Sequence, residues 1–91
     1  KARVRGITRA MARDLMGYRR GVCAIQPGIF WTPMFDQISS EFRASLAESV
    51  PFPKRLGRPE EYADLVRFIC ENGYINGESI RLDGAIRMAP K

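Results

Sequence analysis

The stretch Gln26-Pro27-Gly28-Ile29-Phe30-Trp31-Thr32-Pro33 holds the residues best suited to chemistry in this chain. A short apolar run, Gly21-Val22-Cys23-Ala24-Ile25, leads into a Pro-Gly break, and a threonine follows four residues after the glycine. A buried strand that stops at such a break delivers a loop of backbone groups, aromatic faces and one hydroxyl. In open α/β sheets ligands bind in the crevice outside the carboxyl ends of the strands. The chemistry offered is therefore binding and positioning, not a ready-made nucleophile.

The remaining residue types narrow the field. The chain has no histidine, which removes Ser-His-Asp and Cys-His arrangements and leaves no metal site expected. Cys23 and Cys70 lack C-x-x-C spacing and fall inside apolar-periodic segments, so both are expected as reduced core residues. Glu41, Glu48, Glu60, Glu61 and Glu71 fall mainly on faces expected to be exposed, which argues against paired acid/base work. Neither G-x-G-x-x-G nor G-x-x-x-x-G-K-[ST] is present.

The net charge of +5 points toward anionic partners: nucleic acid, an acidic membrane surface or a phosphate-bearing small molecule. Lys1, Arg5, Arg9 and Arg13 stand four apart and could line a phosphate backbone. No aromatic stacking platform accompanies them, and such a row is more often a solvated or interface face. No apolar run approaches the 18 or so residues of a membrane-spanning helix. The first residues lack a charged-then-apolar signal peptide, so an intracellular location, mitochondrial or cytoplasmic, is expected.

The elements that must position the loop follow from periodicity. Val4, Ile7, Met11 and Leu15 make one stripe of a helix over residues 1 to about 16, with Gly17 near its end. Gly6 inside it hints at close packing against another backbone, and no capping residue precedes it, as if the chain began in mid-helix. After the strand at 21–25 and the Pro-Gly loop, Asp36 is expected to cap a helix running to about Ser49, with Phe35, Ile38, Phe42 and Leu46 on its apolar side. Residues 50–58 form a proline-punctuated loop. Pro59-Glu60-Glu61 starts a third helix with Tyr62, Leu65, Val66 and Ile69 on its buried face, and Asn72-Gly73 stops it. Glu78 to Leu82 is the second strand. A strand, a helical crossover and a second strand make a right-handed parallel βαβ unit. Two parallel strands alone are not a stable sheet, so further strands are expected beside them.

Four segments in this order resemble the short-chain dehydrogenase/reductase family. Lys1-Ala2-x-Val4-x-Gly6-Ile7-Thr8-Arg9-Ala10-Met11-Ala12 is similar to the helix after its Tyr-x-x-x-Lys motif. Pro27-Gly28-x-x-x-Thr32 resembles its loop over the nicotinamide. Arg55-Leu56-Gly57-x-Pro59-Glu60-Glu61 and Asn76-Gly77-Glu78-x-Ile80-x-Leu82-Asp83-Gly84 match its last helix and strand. Val50-Pro51-Phe52-Pro53 and the ending Ala85-Ile86-Arg87-Met88, where most members carry a second glycine at the Ala85 position, resemble members acting on 3-hydroxyacyl-CoA or hydroxysteroid alcohols.

The resemblance implies the carboxyl-terminal part of a Rossmann-type, doubly wound parallel α/β sheet, in the order helix-strand-helix-helix-strand. It implies an oxidoreductase using NAD, with NADP not excluded, on a small-molecule substrate, and a homo-oligomer with no membrane partner. Lys1 would be the catalytic lysine, bonding the nicotinamide ribose and lowering the pKa of a tyrosine four residues earlier. Lys1, Pro27, Gly28, Ile29, Phe30 and Thr32 would face the cofactor, with the Thr32 hydroxyl on the carboxamide. The helix at roughly 35–50 would be the substrate lid. The tyrosine, the catalytic serine, the glycine-rich first turn and the acidic residue that selects NAD have no counterparts in this sequence, so the chain alone is expected to be inactive. Arg19-Arg20-Gly21-Val22 replaces the usual Gly-Ile-Arg-Val, and Arg3 and Arg5 stand where closer relatives carry small or apolar residues. The rival reading is a basic module that binds nucleic acid or associates with intact subunits without catalysis.

Overall fold

A computed structural model describes residues 2–87. Lys1, and Met88 with the residues after it, lie outside the described residues. The elements in chain order are α1 (Ala2–Asp14), β1 (Ala24–Pro27), α2 (Ser40–Glu48), α3 (Pro59–Glu71) and β2 (Ser79–Leu82), with 3₁₀ turns at Met16–Tyr18 and Pro33–Gln37. Strands β1 and β2 form a two-stranded parallel sheet, so the α/β class and the element order agree with expectation. The chain divides into two compact units: residues up to Gln26 with Asp64–Arg81, and Pro27–Ala63 with residues from Leu82 onward.

In the first unit, α1 turns its small residues inward. Thr8 and Ala12 are buried, while Val4, Ile7 and Met11 are 52%, 55% and 43% exposed. The apolar stripe read from the sequence is thus not the face this unit buries. Thr8 meets its own needs by donating to the Val4 carbonyl at 2.7 Å. Ala12 lies beside Gly77, where an added Cβ would stand 3.4 Å from the alanine methyl. Gly6 does not serve close packing among the described residues, since a Cβ there would meet nothing within 4 Å.

The end of α1 also differs from expectation. Gly17 sits inside the 3₁₀ turn, and Arg19 takes the left-handed conformation instead, at φ 58°. Strand β1 begins at Ala24 and not at Gly21, because the Asn76-Gly77 turn captures the preceding residues. Val22 donates its N–H to Asn76 Oδ1 at 2.9 Å and accepts from the Gly77 N–H at 2.8 Å. Parallel pairing starts with Ala24 N–H on the Glu78 carbonyl at 3.0 Å. Cys23 is half-buried, but Cys70 is exposed and not the core residue its periodicity suggested. On α3, Leu65 and Ile69 are half-buried and Val66 is 38% exposed, so that face is only partly covered.

In the second unit, the helix expected from Asp36 divides in two. Pro33–Gln37 is a 3₁₀ turn, and Ser39 caps α2 by accepting from the Phe42 N–H at 3.2 Å. Serine satisfies an orphan donor of the first helical turn, which is the usual stabilising role of an N-cap. Val50 is buried, packed on Gly84, where a Cβ would stand 2.5 Å from Val50 Cγ1. Gly84 also takes φ +60°, a conformation glycine reaches without steric cost. Among the described residues only Thr8, Ala12 and Val50 are buried, a thin core for parallel strands that normally lie inside larger, covered sheets.

Candidate functional site

Strand β1 ends where the second unit begins, and its last pairing is the Gly28 N–H on the Leu82 carbonyl at 3.0 Å. The two strand ends pass so closely that a Cβ on Gly28 would stand 2.7 Å from Asp83 Cβ and 2.8 Å from its Cα. Glycine here is a steric requirement, not a turn signal. Beyond it the loop runs extended and makes a second parallel contact, Phe30 with Gly57. Trp31 N–H donates to the Gly57 carbonyl at 2.8 Å, and Gly57 N–H donates to the Ile29 carbonyl at 2.9 Å.

Gly57 also makes room for the Phe30 ring, whose carbons lie 2.7 Å from where a Cβ would be. The Phe30 ring meets Tyr62 edge to face, with centroids 6.0 Å apart and planes at 88°, a preferred aromatic geometry. Arg55 and Glu61 hold this brace in place. The guanidinium grips the carboxylate at both ends, Nη1 to Oε1 at 2.7 Å and Nη2 to Oε2 at 2.9 Å, while Arg58 N–H donates to Oε1 at 2.9 Å. A glutamate at the third helical position reaching back to the cap N–H is half of a capping box. The Arg55 hydrogen bonds, followed by the Arg58 N–H, hold the Glu61 carboxyl down at about 2, well below the ordinary carboxylate range, and Glu61 in turn raises Arg55. Glu61 is therefore half-buried and paired, not one of the freely solvated carboxylates its helix position suggested.

The braced loop forms one side of a cleft of about 660 Å³. Pro27 to Thr32 line it with Met34 and Phe35, and Pro59 and Tyr62 contribute from the start of α3. The sequence-predicted residues Pro27, Gly28, Ile29, Phe30 and Thr32 all meet there; Lys1 lies outside the described residues. Trp31, Met34, Phe35, Pro59 and Tyr62 also line it and were not among the residues expected to face the cofactor, and the Arg55, Gly57 and Glu61 support was visible only as a motif. A second cavity of about 110 Å³ is lined by these support residues, Arg55, Gly57 and Glu61, together with Val50 and Gly84.

Two polar atoms in this region have no partner. Thr32 Oγ1 and Arg43 Nε are shut off from water and hydrogen-bond to nothing among the described residues. An unsatisfied buried hydroxyl costs about 1–3 kcal/mol, so a ligand group reaching Thr32 would recover energy that the protein leaves unclaimed. This is the feature that fits an amide-bearing cofactor. Arg43 lies with its guanidinium carbon 5.0 Å from the Trp31 ring centroid, and Trp31 stacks with Phe35 at 6.4 Å and 25°. A cation over an aromatic face contributes about 0.5–2 kcal/mol, roughly what an unpaired Nε–H loses.

Residues 1–86 match the model of the family described as Enoyl-(Acyl carrier protein) reductase. The chain is 52% identical over 90 residues to the 3-hydroxyacyl-CoA dehydrogenase type-2 of Drosophila melanogaster, covering 99% of this chain and 35% of that protein. It is 50% identical to the protein of the same name from Homo sapiens, covering 99% and 34%. The crystal structure of 3-hydroxyacyl-CoA dehydrogenase type-2 from Mycobacterium avium superposes with a TM-score of 0.92 at 50% identity, over 99% of this chain and 35% of that one. The chain thus spans about a third of the length of these relatives.

Proposed function

This chain belongs to the short-chain dehydrogenase/reductase family, and from that premise we propose that it is the carboxyl-terminal segment of a single Rossmann-like dehydrogenase domain. The complete enzyme interconverts a secondary alcohol and a ketone with NAD(H), its substrate a 3-hydroxyacyl-CoA or a hydroxysteroid. The names of its relatives support the acyl-CoA class. The observation that carries the reading is the unpartnered Thr32 hydroxyl on the Pro-Gly loop at the carboxyl end of β1.

A bound nicotinamide cofactor supplies the hydride acceptor. The residues of this chain do the positioning. Gly28 lets the loop cross the strand ends, Pro27, Ile29 and Phe30 give the ring an apolar wall, and Thr32 holds the carboxamide. Lys1 bonds the ribose and, as a neighbouring cation, favours the ionised form of the catalytic tyrosine contributed from outside this chain. The helical stretch at roughly 35–50 acts as the substrate lid. The complete protein works inside the cell, in mitochondrion or cytoplasm, as a homo-oligomer.

The complete polypeptide is expected to oxidise 3-hydroxybutyryl-CoA with NAD or NADP as acceptor; no turnover with either cofactor overturns the reading. The 91 residues by themselves are expected not to bind NADH, since they offer no site for its adenosine half. Calorimetric titration showing micromolar binding to the isolated chain would refute that part.

A further inference from the structure

We propose that Trp31 is a specificity-determining residue: its indole is the fixed wall that sets how long an alkyl chain the cleft admits. The inference rests on the dehydrogenase reading and deepens it by naming a residue that grades substrates. On that reading Pro27 to Phe30 and Thr32 face the cofactor, while Tyr62 braces Phe30 edge to face and Pro59 opens α3. Trp31, Met34 and Phe35 are the lining residues left for the substrate. They offer mainly apolar surface, so what they read is the bulk of an alkyl group.

The three differ in how firmly they are held. Met34 is 71% exposed, and a thioether on three rotatable bonds yields to whatever packs against it. Trp31 is held from three directions. Its backbone N–H donates to the Gly57 carbonyl at 2.8 Å. Phe35 stacks on the indole at 6.4 Å and 25°, and is itself placed by its N–H on the Thr32 carbonyl at 2.9 Å. Arg43, which does not line the cleft, backs the ring from α2, with its guanidinium carbon 5.0 Å from the ring centroid. A chain that needs the space of a ring so held meets a clash, not a side chain that swings aside. Met34 is the soft side of the cleft and Trp31 the hard one.

The test uses the complete polypeptide and NADH oxidation with acetoacetyl-CoA and 3-oxodecanoyl-CoA, which share a head group and a reacting ketone and differ only in chain length. One methylene in an apolar pocket changes kcat/KM by roughly 10–200-fold, so Trp31→Ala is expected to raise the ratio for the long substrate over the short one by about tenfold or more. Trp31→Phe keeps a smaller ring in place and should raise the ratio less. Arg43→Gln leaves the indole but removes its backing, and should raise the ratio about twofold. A merely structural role would lower both rates together and leave the ratio where it was. A ratio unchanged or lowered in Trp31→Ala overturns the proposal; where that variant turns over neither substrate, the ratios in Trp31→Phe and Arg43→Gln decide by the same criterion. Absence of turnover of either substrate by the unmodified protein overturns the dehydrogenase reading, and the proposal with it.

Discussion

Helix α1 and the Pro-Gly loop carry similar proportions of apolar residues and treat them differently. On α1 the stripe of Val4, Ile7 and Met11 stands open and the small Thr8 and Ala12 turn inward. In the loop, Ile29, Phe30, Trp31 and Thr32 are all half-buried, and each is tied to something specific: a Gly57 backbone bond, the Tyr62 ring, the Arg43 cation. Periodicity says which residues share a face. It does not say whether the protein buries that face, which depends on what other elements bring to it.

Glycine substitutions break this comparison most sharply. Gly28→Ala places a methyl 2.8 Å from a backbone carbon of Asp83, which cannot swing aside as a side chain can, so a loss of about 2–3 kcal/mol or more is expected in urea unfolding. Gly6→Ala on α1 meets nothing within 4 Å and removes a poor helix former, so it should stabilise by up to about 1 kcal/mol. Equal effects at the two sites would show that the loop is no better braced than the helix.

How much of this was legible before the fold is visible in the same residues. Pro27-Gly28 and Thr32 announced a strand end and a ligand loop, and Pro59-Glu60-Glu61 announced the start of α3 to the residue. The start of β1 was not legible, because Asn76 takes the Val22 N–H from 54 positions away. The Asp36 cap failed because Ser39, nearby and equally suited, wins the first helical turn. The place of Glu61, three residues into a capped helix and six after Arg55, is the signal for its pairing that the sequence does carry. The Trp31–Arg43 contact joins a loop to α2 through tertiary placement, and no local spacing encodes it.

Thr32→Val is the next largest test. Valine keeps the shape and removes the unpartnered hydroxyl, so the chain without ligand should gain about 1 kcal/mol, read as a higher Tm. In the complete polypeptide the same change should weaken NADH binding. Opposite signs in the two measurements are the mark of a group kept for a ligand; a loss of stability in the isolated chain would mean that the hydroxyl has a structural role instead.

The Arg55–Glu61 brace gives the smallest effect, confined to acid. Glu61 titrates at about 2 in the folded chain against an ordinary value of 4.5. A carboxylate whose pKa is depressed by folding contributes stability that is fully present above the unfolded value and is lost as pH falls through the folded one. The window is therefore pH 4.5 down to about 2. Both partners keep 38% of their side-chain surface in solvent, so water and salt screen the pair and the loss should be modest. Glu61→Gln cannot ionise, and its unfolding midpoint should fall less steeply than that of the unmodified chain across that window. If the two midpoints track each other, the fork closing on Glu61 contributes nothing to the wall of the cleft. If they diverge in acid and the intrinsic fluorescence of Trp31, the only tryptophan in the chain, shifts over the same range, the brace reaches through the Trp31 N–H bond to Gly57 as well as to the Phe30 ring.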